Sequence, residues 1–194
     1  MSRVAVDALL SIMDQAYDQN REHSLMVNLS AALDEAWLWL PPGSERSIRH
    51  MVGHIAACKF RHDNQAFGDR TVSWSSPAIP RRLAAAGQAL PPFTQDEMQS
   101  GPLWLPDEPA RVAVMDWLAQ GHRLLRAHPA ALDDEGLKRP GYFMPSGQTR
   151  DIHWVIQVMV QHDLYHAGEI NHINALFRGT DSFSRRRHGS PART

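Results

Sequence analysis

Val158 to Phe177 reads V-M-V-Q-H-D-L-Y-H-A-G-E-I-N-H-I-N-A-L-F, and this stretch decides the fold. Its apolar positions, together with Ile152, Val155 and Ile156 just before it, fall at helical spacing: Met159, Ile170, Ile173 and Phe177. His162 and His166 lie four residues apart within the same stripe. On a helix that spacing puts two imidazoles one turn apart on one face, about 5–6 Å between Cβ atoms. Ring nitrogens on a core face need partners, because burying them unpaired is costly. Two such rings can point at one ion without distorting the backbone.

Outward from this helix, the chain reads as three more. Val6, Leu9, Leu10, Met13 and Tyr17 predict a first long helix over 4–32, with a bend near Asn20. Pro41-Pro42-Gly43 cannot continue a helix. Ser47 predicts an N-cap for a second helix from Ile48 to Phe67, which Gly68 ends. Its core face is Met51, His54, Ile55 and Cys58. A third helix starts at Asp107-Glu108-Pro109 and is ended by Pro129, with an apolar face of Val112, Met115, Leu118, Ala119, His122 and Leu125. Thr149 predicts the cap of the last helix, Arg150 to Phe177, with Gly179 beyond it.

Residues 69–106 carry six prolines and read as a long insertion or crossover, a lid and not a second domain. No run of alternating strand residues stands out. The expected fold is therefore all-α, a four-helix bundle in one domain, 1–180, whose long connection between helices 2 and 3 lets neighbours run parallel. Residues 181–194, with Arg185-Arg186-Arg187, read as a solvated, disordered tail.

A third imidazole on a different helix completes the kind of three-His set that catalytic zinc sites use, and His54 lies on the core face of helix 2. Rivals remain open. His50, His54, Cys58 and His62 form a ladder at four-residue steps that drifts about 40° per member, so adjacent members alone can pair. His122 is a further candidate from helix 3, and His172 falls on a different face. Asp163 and Glu169 read as carboxylates that accept an imidazole N–H, or as surface groups. Cys58 reads as a small buried apolar residue, and Trp74, Trp104 and Tyr165 as packing residues or walls of a pocket.

Composition narrows the rest. The chain has 194 residues and a net charge of −1, which supplies no field for nucleic acid or anionic membrane. A single cysteine excludes an intrachain disulfide and suits a reducing cytoplasm. No apolar run approaches a membrane span, and the start lacks the pattern of a signal peptide. There is no G-x-G-x-x-G, no phosphate loop and no G-x-S-x-G elbow, and Asp163 stands where a zinc protease has its Glu.

G-H-I-A-A around His54 and H-D-L-Y-H-A-G-E-I-N-H from His162 to His172 resemble the DinB-like superfamily of metal-dependent enzymes, as does the lead-in from Trp39 through Pro-Pro-Gly to Ser47-Ile48. The likeness spans about residues 5–180. It implies an up-down-down-up four-helix bundle, usually dimeric, with a nickel or zinc ion held by His54, His162 and His166. It also implies thiol-dependent transfer or isomerisation, with the metal activating a low-molecular-weight thiol. The expected function is thus a metal-dependent S-transferase or hydrolase acting on a small molecule. The competing class is a non-catalytic metal-binding bundle that works in stress response or through a protein partner.

Overall fold

The computed structural model describes residues 2–44, 46–70, 109–144 and 146–180. The described chain is predominantly helical with one small sheet: α1 (Val4–Asp14), α2 (Leu25–Ala31), α3 (Ile48–Phe67), α4 (Pro109–Ala130), β1 (Pro140–Phe143), β2 (Thr149–Asp151) and α5 (Ile152–Arg178). The insertion over 69–106 and the tail over 181–194 fall almost wholly outside the described residues, as do Trp74 and Trp104.

The first helical stretch is not one bent helix over 4–32. α1 runs into a π-helical turn, Gln15–Gln19, and stops at Asn20, whose backbone is extended. The Asn20 side chain accepts from the N–H groups of Glu22 and His23, both at 2.9 Å, a local turn that competes with helix. Ser24 then caps α2 by accepting from Val27 N–H.

α3 keeps its expected bounds, with Ser47 accepting from His50 N–H and Gly68 following the last turn. α4 carries Pro129 in its final turn and ends one residue later, at Ala130. α5 begins later than its spacing predicts. Asp151, not Thr149, is its cap, accepting from Trp154 N–H at 2.8 Å, while Thr149 and Arg150 belong to β2. Gly179 closes α5 in the left-handed conformation, φ 65°.

The expectation of no strands is also corrected. β1 and β2 form an antiparallel hairpin with Tyr142 opposite Arg150 and Phe143 opposite Thr149. Gly141 sits so close to α5 that a Cβ there would stand 2.9 Å from Ile152 Cγ1. The hairpin packs on α3 through Tyr142, whose hydroxyl accepts from Arg61 at 2.9 Å and whose ring stacks on His62.

Apolar side chains gather in two clusters along α3 and α5. One joins Trp37, Ile48, Met51, Ile55, Phe60, Trp117, Leu118, Ile170 and Ile173. The other joins Val6, Leu10, Met13, Leu125, Ile152, Val155, Ile156 and Met159. Burial of this kind is worth about 25 cal/mol per Å² of apolar surface and orients the helix faces. α3 and α4 approach closely at Gly121, where a Cβ would lie 3.3 Å from Lys59 Cβ. α2 is fastened to α5 by Asn174, which donates to Ala31 O at 2.9 Å and accepts from Leu33 N–H at 3.3 Å. Among the described residues no helix is long and apolar enough to cross a membrane.

Candidate metal centre

α3 and α5 run side by side where the two apolar clusters meet, and each supplies a pair of side chains one turn apart. α3 gives His54 and Cys58; α5 gives His162 and His166. His162 Nε2 lies 3.1 Å from His54 Nε2 and 3.1 Å from His166 Nε2. Cys58 Sγ stands 3.6 Å from His54 Nε2. His54, Cys58 and His162 offer ligand atoms that all lie within 4.8 Å of one another. His166 adjoins that group through His162, its ring centroid 5.2 Å from that of His54.

These spacings suit a metal. Zinc at its usual bond lengths holds nitrogen donors about 3.4 Å apart and a nitrogen and a sulfur about 3.6 Å apart in tetrahedral geometry. Protonation points the same way. Burial lowers the pKa of His54 to about 4 and that of His162 to about 2, the neighbouring imidazoles opposing a further proton, and burial lowers His166 as well. At neutral pH all three rings are therefore uncharged, the form that binds metal.

Hydrogen bonding fixes one ring of the cluster and leaves a nitrogen of another unpartnered among the described residues. Glu169 Oε2 lies 2.6 Å from His166 Nδ1. A carboxylate accepts, so His166 carries its proton on Nδ1 and presents a lone pair from Nε2. His162 Nε2 faces that lone pair and also His54 Nε2, and it holds at most one proton. His162 Nδ1 is buried with no hydrogen-bond partner among the described residues. Converging lone pairs on neutral rings are what a divalent cation satisfies.

Residues 16–170 match the sequence model of the DinB superfamily. The chain belongs to that superfamily. The matched span holds α3 and α4 entire and α5 as far as Ile170, so all four side chains of the cluster fall within it. A comparison with curated proteins found no match. In this DinB chain, His54, Cys58 and His162, which α3 and α5 bring together, are a group that could hold a metal ion.

The other candidates separate cleanly. His50 is half-buried, one turn before His54, while His62 is buried with its Nδ1 on Cys58 O at 2.9 Å. His122 stacks on Tyr17 at 3.6 Å between ring centroids, outside the cluster, and burial holds its pKa down to about 3. His172 is exposed. Glu169 takes the orienting role expected for a carboxylate near the rings. Cys58 is buried, as its apolar reading requires, and burial pushes its thiol up to about 12, yet its sulfur faces His54.

Asp163 does something the sequence did not suggest. It is buried, and its Oδ2 lies 2.6 Å from the Nζ of Lys59, which is 0% exposed. Burial raises the Asp163 pKa and the Lys59 ammonium opposes that rise. The one signal for this pair is Lys59 itself, a cation inside the run I-A-A-C-K-F.

Proposed function

We propose that this DinB-superfamily chain is a metal-dependent enzyme in which His54, His162 and His166 hold one divalent ion, nickel or zinc. The observation that carries the reading is the meeting of three neutral imidazoles at His162 Nε2, 3.1 Å from each of the other two. A divalent ion at that point supplies a Lewis acid that brings a bound thiol or water toward neutral pKa. The reaction class is transfer of a small thiol's sulfur to a carbon centre, or hydrolysis. Glu169 fixes the His166 ring, and the exposed Tyr165, 5.1 Å from that ring, forms an outer wall for a small substrate. An up-down-down-up bundle, a homodimer and a cytoplasmic location belong to the same reading. Light scattering in solution tests the dimer.

Metal content of untagged protein, for wild type and for His54→Ala, His162→Ala and His166→Ala, tests the site. About one ion per chain, lost in each variant, is expected. Retention in all three, or no uptake by wild type from added nickel or zinc, would sink it. Screening loaded protein with small thiols and electrophiles then tests the enzyme.

Cys58 favours a second reading. Its sulfur stands at ligand distance from the same group, and a fourth protein ligand would close the site into a structural or sensing centre. Cys58→Ser separates the two. Unchanged affinity, together with a spectral response of Co²⁺-loaded wild type to added thiol, supports the open site; a large loss of affinity supports the closed one.

A further inference from the structure

Lys59 and Asp163 stand one residue beyond Cys58 and His162 respectively, on the two helices that carry the histidine cluster. Successive helix positions differ by about 100° in direction and 1.5 Å in height. The ion pair therefore crosses from α3 to α5 at the level of the cluster, on its flank. Its Nζ–Oδ2 distance is 2.6 Å, and the side chains are 0% and 2% exposed.

Further groups close in on the pair. The Lys59 ammonium lies 5.4 Å from the Tyr17 ring centroid, and Tyr17 stacks on His122 of α4. Tyr17 stands within the π-helical turn Gln15–Gln19, a local widening of the helix often found at functional positions. Four elements thus converge on one buried polar node beside the histidines. Asp163 Oδ1 is buried and has no hydrogen-bond partner among the described residues.

A buried ion pair is a weak stabiliser, because desolvation offsets most of its Coulomb gain and apolar residues of like volume often do as well. What it adds is directional: a hydrogen-bonded contact allows one separation, whereas apolar contacts tolerate sliding. Resting on the metal reading above, we propose that Lys59 and Asp163 are positioning residues that fix the spacing and rotation of α3 against α5. They thereby set the geometry in which His54 meets His162 and His166.

The test uses Co²⁺ as probe in the full chain, comparing wild type with the paired apolar replacement Lys59→Met/Asp163→Leu. Far-UV circular dichroism and thermal unfolding check the fold, and the visible spectrum reports ligand geometry. Expected is a folded double variant whose Co²⁺ affinity falls about 10- to 100-fold, the usual range for residues supporting a ligand, with a changed spectrum. A folded double variant with wild-type affinity and spectrum overturns the inference and leaves the metal reading standing. Wild type that takes up no Co²⁺ overturns both. Should the double variant not fold, Lys59→Arg keeps the charge pair but alters its span. A shifted spectrum there supports positioning, and an unshifted one overturns it.

Discussion

Two polar groups sit one residue apart on the same pair of helices and are built on opposite principles. At Lys59 and Asp163 two full charges are withdrawn from water and satisfy each other across 2.6 Å. At His54, His162 and His166 the groups are uncharged, and His162 Nε2 stands 3.1 Å from the Nε2 of each of the other two. The first node is held by opposite charge, with Asp163 Oδ1 left unpartnered among the described residues. The second is held by uncharged donors, which on the proposed reading a divalent ion would draw together. The difference teaches where to look for function: in the polar cluster whose uncharged donors converge, not in the one whose charges pair.

Removing one partner of the charged node should have the largest effect. Asp163→Ala leaves the Lys59 ammonium buried and uncompensated, at a cost of about 3–5 kcal/mol. Chemical denaturation of the metal-free protein measures it, and a loss below about 1 kcal/mol would erase the contrast between the nodes. His162→Ala should behave the other way. Metal affinity falls by about 100-fold or more, while metal-free stability changes by no more than about 1 kcal/mol, since the removed ring was unsatisfied. Metal titration and denaturation of the same variant check both halves.

Acid sharpens the contrast at His122, which stacks on Tyr17 beside the charged pair. Its pKa is about 3 in the folded protein, held down first by burial and then by cations including Lys59. The unfolded chain protonates the same ring near 6.5. Between those values the unfolded state binds the extra proton, so stability present above pH 6.5 is lost as pH falls toward 3. His122→Phe keeps a ring against Tyr17 and should flatten stability against pH by about 1.4 kcal/mol per unit between pH 6 and 4. An unchanged slope would show that His122 is not the group involved. Smallest of the four, Glu169→Gln should lower metal affinity about tenfold by loosening the His166 ring, with the fold intact. Calorimetric titration checks it.

Legibility in the sequence followed the range of the interactions. The histidine pair of α5 could be read because four-residue spacing fixes a shared face, and α3 because Ser47 and Gly68 mark its ends locally. The break at Asn20 was legible only as a bend, since its side chain competes with the helix over two or three residues. The hairpin escaped because each strand is four residues or fewer and its apolar face depends on packing against Ile152, Arg61 and His62. The Lys59–Asp163 pair spans 104 residues of sequence. Lys59 stands in an apolar run, but nothing local names the residue that answers it.

The carboxamide of Asn174 has a consequence for how the protein is made. It holds both Ala31 and Leu33, across 143 and 141 residues of sequence respectively. α1 and α2 leave the ribosome early, yet much of their packing surface lies on a helix synthesised last among the described elements. Contacts this distant form late, and the early helices must wait with apolar faces uncovered. Those faces are covered once α5 has been made and packs against α1 and α2.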